Sequence, residues 1–349
     1  MDTFFQIPHD VVANRNQSNG NVTGPQPLIK DGSAADPASI GFAVLIANWT
    51  GQGGEDYAGA AKDQLDFLEF NVSRTSDGAL SHRVEQVQLW SDFIYMVPPF
   101  LAYYGMITQN RTLLLEAYNQ ISLYRSHLRD TSANNLWKHI LLGINGTDEG
   151  HWSTGNAWAA AGMLRVLGTY KNSQFSNTLK SQQQDLAAWV SEIHAAMYPH
   201  LDNSSNLFTN YASQPVTADG NFFDASSTAL LASTVYRLSL IWGTHTHLPI
   251  AERTRKALFA PNTNSSSNST LEHFDANGWL TPVVNPENYP KEGSESPEGQ
   301  AFVVELHSAW RDWVADGSKG ANGAKRSSGG PGILKWTFVV FGVCWGVLL

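Results

Sequence analysis

Cysteine and charge are both scarce in this sequence. Cys344 is the single cysteine among 349 residues, so no intrachain disulfide can form and the cysteine count gives no support for export. Charged residues make up 15% of the chain and hydrophobic residues 42%, which excludes a disordered chain and indicates a large core, in one big domain or two ordinary ones. A basic cluster is absent outside the C-terminal tail and the net charge is -9, so we expect no nucleic-acid partner.

A secretory leader is missing as well. The opening residues MDTFFQIPHDVVANRN have neither a basic start nor an apolar run of the required length. Sequons nevertheless favour a secreted glycoprotein, with chance occurrence in an Asn-rich and Ser-rich chain as the alternative. They start at Asn16, Asn21, Asn48, Asn71, Asn110, Asn145, Asn203, Asn264 and Asn268. We therefore expect Met1 to lie inside a longer gene product.

The C-terminal tail is apolar but too short for a comfortable membrane span. Trp336–Leu349 (WTFVVFGVCWGVLL) runs to the last residue and follows the polar AKRSSGGPG and the small residues Gly320–Ala324. A cluster of small residues, a polar spacer and an apolar tail together form the signal for a GPI anchor. We expect cleavage near Asn322 or Gly323. A retained short tail anchor is the alternative. The signal predicts an extracellular or cell-surface protein that meets the membrane only through this lipid.

Aromatic residues, by contrast, are plentiful and are dense in QLWSDFIYMVPPFLAYYG, Gln88–Gly105. Its apolar residues recur at helical spacing and predict a core-facing helix. Asp92 falls beside the apolar face, where a carboxylate must be paired, hydrogen-bonded or protonated. Pro98 and Pro99 remove amide donors and should leave carbonyls near Tyr95 without their helical partners. These features indicate a functional site, with the alternative that Asp92 caps the helix or pairs with an arginine.

The rest of the chain predicts helical hairpins with little strand signal. The expected helices are Ser39–Trp49, Asp56–Phe70, Leu89–Met106, Thr112–Leu128, Gly155–Tyr170, Leu179–Met197, Ala225–Trp242, Pro249–Phe259 and Pro297–Trp313. Loops rich in Gly, Asn and Ser separate the pairs. We expect an N-terminal linker or remnant over 1–35, one domain over 36–316, and a linker with the C-terminal signal over 317–349.

Two of the predicted helices resemble each other. AAAGMLRVL from Ala159 and LLASTVYRL from Leu230 are rich in small residues, and they carry Arg165 and Arg237. Both are apolar on nearly every face, as buried inner helices are, whereas Leu179–Met197 has the charges of an outer helix. Alternating inner and outer helices predict a closed toroid.

Polar residues collect where the inner helices begin. In a toroid of hairpins all inner helices run the same way, so these residues should converge at one end, which is the predicted site. They are Ser91, Asp92, Thr154, Asn156, Asp224, Ser226, Ser296 and Glu298. Each could instead be a helix cap, the role we expect for Asp224 and Ser296.

Four blocks carry a family resemblance: DGALSHRVEQVQLWSDFIYMVPPFLAYYG, GHWSTGNAWAAAGMLRVL, DASSTALLASTVYRL and SPEGQAFVVELHSAWRDW. In this order and spacing the chain resembles, over Asp36–Asp316, the six-hairpin glycosidases of glycoside hydrolase families 88 and 105, the unsaturated glucuronyl and rhamnogalacturonyl hydrolases. The resemblance implies an all-α (α/α)6 toroid of helical hairpins that acts as a monomer on an oligosaccharide and needs no metal or cofactor. Six hairpins need more helices than are predicted here, so we expect the toroid to be incomplete at its N-terminus.

The resemblance also implies a chemistry. Family members hydrate the double bond between C4 and C5 of an unsaturated uronic acid, and the resulting hemiketal opens and releases the aglycone. One Asp acts as general acid and base, and the family block WxDxxYM places it at Asp92. The implied substrates are oligosaccharides of pectin or rhamnogalacturonan type.

Positions that line the sugar subsite in relatives follow from the same blocks. They are implied to be His82, Arg83, Trp90, His151, Trp152, Asn156 and Trp158. Core packing is the alternative for Trp158. Two departures bear on the substrate: Thr154 stands where many relatives have an Arg able to meet its carboxylate, and Ser91 where many have a second acid. His82, Arg83 or Arg165 could supply the positive charge.

Two further functions remain open. The first is a glycan-binding or cell-wall protein that keeps the toroid without turnover. The second is an ordinary inverting glycosidase, which needs a second acid, with Asp224 and Glu298 as the candidates. Loss of ultraviolet absorbance from an unsaturated disaccharide would separate turnover from binding alone.

Overall fold

A computed structural model describes residues 2–263, 269–285 and 287–321. The predicted C-terminal signal, Cys344, and the sequons at Asn264 and Asn268 lie outside the described residues. Within the described ranges the chain is mainly helical. The helices are α1 Asp2–Ser18, α2 Asp36–Trp49, α3 Tyr57–Phe70, α4 Phe93–Ile107, α5 Arg111–Leu128, α6 Ser153–Asn172, α7 Lys180–Met197, α8 Ala225–Trp242, α9 Leu248–Leu258 and α10 Pro297–Ala315.

All nine predicted helices are confirmed, and α1 is added to them. Part of the stretch expected to be a linker or remnant is therefore helical, which corrects the sequence reading. Arg15 of α1 forms a 2.9 Å ion pair with Asp63 of α3, and α1 packs on α2. The sequence does not predict this helix, because Pro8 lies inside it and its apolar residues form no clear stripe. Among the described helices, none is both long and apolar enough to cross a membrane.

The strands are short and lie in the connections. They are β1 Leu89–Trp90, β2 Arg129–Asp130, β3 Leu136–Trp137, β4 Ile140–Leu141, β5 Phe208–Thr209, β6 Phe223–Asp224, β7 Val283–Asn285 and β8 Asn288–Gly293. Antiparallel pairs join β1 to β4, β5 to β6 and β7 to β8. Strand β6 ends at the residue before α8, and two residues separate β1 from α4, so both strands help to fix where the following helix begins.

The described residues divide into two compact units. The first comprises the chain up to Arg129, His139–Glu149 and Arg165–Asp185, and the second comprises Asp130–Lys138, Gly150–Leu164 and the chain from Leu186 onward. In the first unit α2 packs against α3 and α4, and α4 packs against α5. A Cβ on Gly41 of α2 would overlap the ring of Phe100 on α4, so the glycine permits their close approach. In the second unit α8 packs against α9 and α10.

Helix α8 is buried on nearly every face, as predicted for an inner helix. Every residue from Ala225 to Tyr236 is buried. Arg237 follows this run and donates to Asp312 at 2.6 Å and to Ser308 at 2.9 Å. The arginine thus ties α8 to α10 by charge-assisted hydrogen bonds.

Helix α4 begins at Phe93, four residues later than the predicted start at Leu89. Leu89 and Trp90 instead form β1, in register with Leu141 and Ile140. The helical spacing of apolar residues includes Leu89, but its backbone amide and carbonyl belong to a strand pair. The predicted start at Leu89 was wrong because a two-residue strand is too short to show a periodic pattern of apolar residues.

Arg165 fills the backbone defect that the two prolines of α4 create. Pro99 lacks the amide that would bond to the carbonyl of Tyr95, as the sequence predicts. Nη1 of Arg165 donates to that carbonyl at 2.9 Å. Its guanidinium also lies over the rings of Tyr95, at 4.5 Å, and Phe42, at 5.6 Å. Arg165 is therefore a structural cation of the first unit.

Replacing Arg165 with methionine should destabilise the protein by about 2 kcal/mol, the scale of a lost hydrogen bond to a charged donor that leaves a carbonyl without a partner. Urea denaturation of the full chain measures this. The control is Arg111→Met, because Arg111 is exposed at the start of α5 and its loss should change stability by less than about 0.5 kcal/mol. Equal midpoints for the two variants would contradict the assigned role.

Candidate active site

A short strand pair presents Asp92 to the site. Leu89 pairs with Leu141 and Trp90 with Ile140, and the amide of Ser91 then donates to the carbonyl of His139 at 2.9 Å. Asp92 follows at the N-cap position of α4, but its backbone is helical and its side chain makes no capping hydrogen bond. The capping alternative is therefore wrong.

The partner of Asp92 is an imidazole, so the arginine alternative is also wrong. Nε2 of His139 lies 3.8 Å from Oδ2 of Asp92, just beyond hydrogen-bonding distance, and Nδ1 lies 2.9 Å from Oδ2 of Asp148. The His139 side chain is fully buried. Burial alone would lower its pKa, but the hydrogen bond to Asp148 and the negative charges of Asp148 and Asp92 raise the pKa of His139 overall. A buried imidazole that favours its charged form thus lies beside the predicted catalytic acid.

Trp90 connects this pair to His82. Its indole stacks on the His82 ring with centroids 4.8 Å apart and meets the His139 ring edge-on at 5.5 Å. Burial first of all lowers the pKa of His82 to about 4. His82 is consequently neutral in mildly acid or neutral solution and does not supply the positive charge that we considered for it.

Asp36 joins the cluster from the start of α2. The segment before it is hydrogen-bonded to the loop that carries His82, since the amide of Ala34 donates to the His82 carbonyl at 2.7 Å. Oδ1 of Asp36 then lies 3.9 Å from Nε2 of His82. Desolvation and the charge of Asp92 raise the pKa of Asp36 to about 6. Because 53% of its side chain is exposed, water screens part of this effect.

Arg83 is the cation that remains available near these carboxyls. Its guanidinium lies against Gly32, where a Cβ would come within 2.6 Å of Nη2, and it faces Glu85 at 3.5 Å. About a third of its side chain is exposed. Arg165, the other candidate, is occupied by the Tyr95 carbonyl.

The first unit thus brings together four predicted residues: His82, Arg83, Trp90 and Asp92. It adds three that the sequence reading missed: Asp36, His139 and Asp148. None of these three stands in a recognisable motif, and they reach the site through strand pairing and turns. A histidine that follows a strand-like LW pair could have been suspected for His139, but its partner strand could not.

The second unit holds the other predicted subsite residues. His151 is hydrogen-bonded at both ring nitrogens, with Nδ1 2.8 Å from Oγ of Ser213 and Nε2 3.2 Å from Oδ2 of Asp130. Trp152 is 7% exposed, and its Nε1 donates to Asn210 at 2.8 Å. Both residues are held in fixed orientations, and their sugar contacts stay predictions.

Asn156 and Trp158 follow on α6. The Asn156 side chain is fully buried and bonds to both the amide and the carbonyl of Trp137, at 2.9 and 3.0 Å. This placement argues against a sugar contact for Asn156, because its polar atoms already hold β3. Trp158 is half-buried, packs edge-on against Phe302 at 4.8 Å and adjoins the buried Trp152 cluster, as the core-packing alternative expects.

Asp224 is a structural cap and no second catalytic acid. Its carboxylate is fully buried and accepts bonds from the backbone amides of Ser226, Ser227 and Val284, and from the Thr154 hydroxyl at 3.1 Å. Both oxygens of this carboxylate are thus already used as hydrogen-bond acceptors within the protein. This corrects the inverting-glycosidase alternative at Asp224.

The other candidate acid also belongs to a helix cap. Ser296 accepts from the Gly299 amide at 3.0 Å, which confirms its predicted capping role. Glu298 is exposed and accepts from the Ser296 hydroxyl at 3.2 Å. A solvated glutamate in the first turn of α10 interacts favourably with the helix dipole.

Comparisons with known proteins bear on this fold and site. A family model described as Glycosyl Hydrolase Family 88 matches residues 2–274. No curated protein sequence gives a significant match. Among solved structures, a family 105 glycoside hydrolase from C. acetobutylicum is 14% identical with a TM-score of 0.65, covering 87% of this chain and 92% of that one.

Two more structures extend the comparison. A possible family 105 member from Salmonella enterica is 16% identical with a TM-score of 0.66, covering 89% of this chain and 83% of its own. The unsaturated glucuronyl hydrolase of Bacillus sp. GL1 is 16% identical with a TM-score of 0.53, covering 80% and 74%. At these identities the likeness establishes a shared fold, which confirms the predicted all-α six-hairpin class.

The family model, which matches most of the chain, identifies the protein as a glycoside hydrolase. More specifically, the chain belongs to glycosyl hydrolase family 88, whose model spans most of it.

Replacing Asp224 with asparagine should lower the free energy of unfolding by at least about 2 kcal/mol, because an amide group would then face backbone donors in a buried site. Turnover per folded molecule should be largely kept. Thermal melts and activity corrected for the folded fraction measure the two effects. Glu298→Gln is the control and should change neither by much, whereas loss of turnover on saturated glycosides with unchanged stability would restore Asp224 as an acid.

Proposed function

We propose that this glycoside hydrolase acts on unsaturated uronic-acid oligosaccharides of pectin or rhamnogalacturonan type, by hydration of the C4–C5 double bond. Asp92 is the general acid and base in this proposal. It gives a proton to C4 and takes one from the water that attacks C5, so that the carboxyl returns to its starting state. The hemiketal then opens and releases the aglycone.

The pairing of Asp92 with His139 carries the proposal. An acid that must both give and take a proton needs a neighbour that stabilises either charge state. His139 lies 3.8 Å away, is fully buried and favours its cationic form. In the same unit the Trp90 ring supplies a flat surface of the kind that sugar rings stack upon.

Arg83 is the proposed partner of the substrate carboxylate. Thr154 leaves the position of the relatives' arginine uncharged, and its hydroxyl is used by Asp224. His82 is neutral and Arg165 is bound to α4. Arg83 keeps its exposed guanidinium beside His82, where a uronate could displace Glu85.

A similar structure is that of an unsaturated glucuronyl hydrolase, so unsaturated glucuronyl oligosaccharides are a second candidate class of substrate. The experiment therefore offers the full chain unsaturated rhamnogalacturonan, digalacturonan and glucuronyl disaccharides and follows the ultraviolet absorbance of the conjugated acid. Loss of absorbance with the galacturonic types supports the proposal. Binding without any loss would favour the alternative of a glycan-binding or cell-wall protein.

In the same assay Asp92→Asn should reduce turnover at least about a hundredfold, the usual scale for a lost acid or base. Stability should change little, because the carboxylate makes no capping bond and the amide is nearly isosteric. A single-turnover assay and a thermal melt on one preparation test both points.

The matched control is Asp66→Asn, which removes a carboxylate from the Lys62 pair on α3 and should leave turnover unchanged. Near-normal turnover in Asp92→Asn would remove Asp92 from the mechanism. A clear drop in melting temperature with normal activity per folded molecule would make it a structural residue.

We also propose that the protein is exported and carries N-linked glycans, with a lipid anchor at its C-terminus. All seven sequon asparagines that the structure describes are exposed: Asn16, Asn21, Asn48, Asn71, Asn110, Asn145 and Asn203. Exposure is what an attached glycan requires.

Enzymatic release of N-glycans from the protein isolated from its own cells should lower its mass and convert glycosylated Asn to Asp, as read by peptide mapping. Asn277 is exposed but stands in no sequon, so it is an internal control that should remain Asn. An unchanged mass would contradict the export proposal.

A further inference from the structure

We propose that Asp148 is a positioning residue. Its negative charge stabilises the proton that His139 and Asp92 share and thereby sets the pH range of turnover. This inference rests on the proposed function of Asp92. It concerns a residue outside every block that carries the family resemblance.

The geometry fixes the tautomer of His139. Its Nδ1 lies 2.9 Å from Oδ2 of Asp148, and an ionised carboxylate can only accept, so Nδ1 must carry a hydrogen. In a neutral ring Nε2 would then present a lone pair to Asp92. Two lone pairs facing each other at 3.8 Å would repel in this buried setting.

One proton between Nε2 and Asp92 removes that repulsion. It can lie on the ring, which makes His139 a cation beside two carboxylates, or on Asp92, which makes both groups neutral. The two groups therefore share a single proton. The charge of Asp148 favours the proton-bearing state of the pair, because it lies in direct contact with the ring on the opposite side from Asp92.

The backbone holds Asp148 firmly in this position. Ile140 and Asp148 exchange two hydrogen bonds, at 2.7 and 3.0 Å, in an antiparallel bridge. Gln88 supports the intervening turn by donating to the Asn145 carbonyl at 2.9 Å, and its Oε1 accepts from the Trp90 indole at 2.7 Å. The same turn thus orients the imidazole and the indole of the site.

Other charged groups face the pair without replacing Asp148. Asp36 approaches from the start of α2, His82 approaches from the loop before β1, and Arg83 follows His82. Tyr124 of α5 lies close to Asp92 and is neutral, since burial raises its pKa well above the ordinary value. Asp148 contacts Nδ1 of the His139 ring at 2.9 Å.

The sign of the effect follows. Asparagine at 148 can still accept from Nδ1, but it no longer attracts the shared proton. The pair should then lose that proton at lower pH. Since turnover needs a proton to give to C4, the high-pH limb of the kcat/KM profile should move about one unit towards acid, the lower end of the usual effect of a contacting charge.

The test compares wild type, Asp148→Asn and Asp148→Glu as full chains. In Asp148→Asn, turnover at low pH should stay within about threefold of wild type and fall about tenfold above the shifted limb. Asp148→Glu keeps the charge and should recover much of the profile. NMR of ¹⁵N-labelled histidine, with the His139 signal assigned by its loss in His139→Gln, should show a lowered His139 pKa in Asp148→Asn.

A matched control is Asp77→Asn. Asp77 also contacts an imidazole at 2.9 Å, that of His127, but this pair is exposed and outside the site. Its removal should leave the pH profile unchanged.

A loss of the same factor at every pH, or an unmoved His139 pKa, would overturn the proposal. Should Asp148→Asn fail to fold, the wild-type ring decides, because a neutral tautomer protonated on Nε2 contradicts the geometry. The NMR readout does not need turnover. Failure of the proposed function would therefore show as an inactive wild type, and the position of the proton would still be decided.

Discussion

The antiparallel pairing of Leu89–Trp90 with Ile140–Leu141 is the constraint on which the candidate site depends. It ends β1 at Trp90, two residues short of α4, and brings the carbonyl of His139 to the amide of Ser91. Asp92 and His139 therefore meet through backbone bonds rather than through the flexible reach of long side chains. A carboxylate and an imidazole placed in this way need little reordering before a proton moves, which is the arrangement that acid–base catalysis favours.

The structure of α4 also depends on an arginine of α6, because two prolines interrupt the hydrogen bonding of α4. Pro98 and Pro99 remove backbone hydrogen bonds from α4, the helix that follows Asp92. Arg165 of α6 donates to the Tyr95 carbonyl that Pro99 leaves without a helical partner. Its guanidinium is therefore not available to a substrate carboxylate. Arg237 stands at the same distance from the start of α8 and likewise reaches a neighbouring helix. The repeat seen in the sequence therefore has a shared structural purpose, namely a cationic tie between packed helices.

Much of the fold could be predicted from the sequence because apolar spacing at the helical period is a local signal. The nine expected helices are present, and capping at Asp224 and Ser296 was predictable from residue type alone. The site was predictable only in part. Asp92 stands in a recognisable block, whereas Asp36, His139 and Asp148 depend on contacts between residues distant along the chain. Asn156 shows the same limit, because its bonds to the Trp137 backbone could not be predicted from the sequence and its sugar contact stays a prediction.

The buried imidazole has a consequence for attempts to make this enzyme more heat-resistant. Charged groups taken out of water are costly, and well-packed apolar replacements of a buried ionic cluster are often as stable or more so. Selection for survival at high temperature alone would therefore favour variants in which His139 and its two acidic neighbours become hydrophobic. Such variants would be more stable but inactive, so a screen on this chain must select for catalytic activity and heat resistance together.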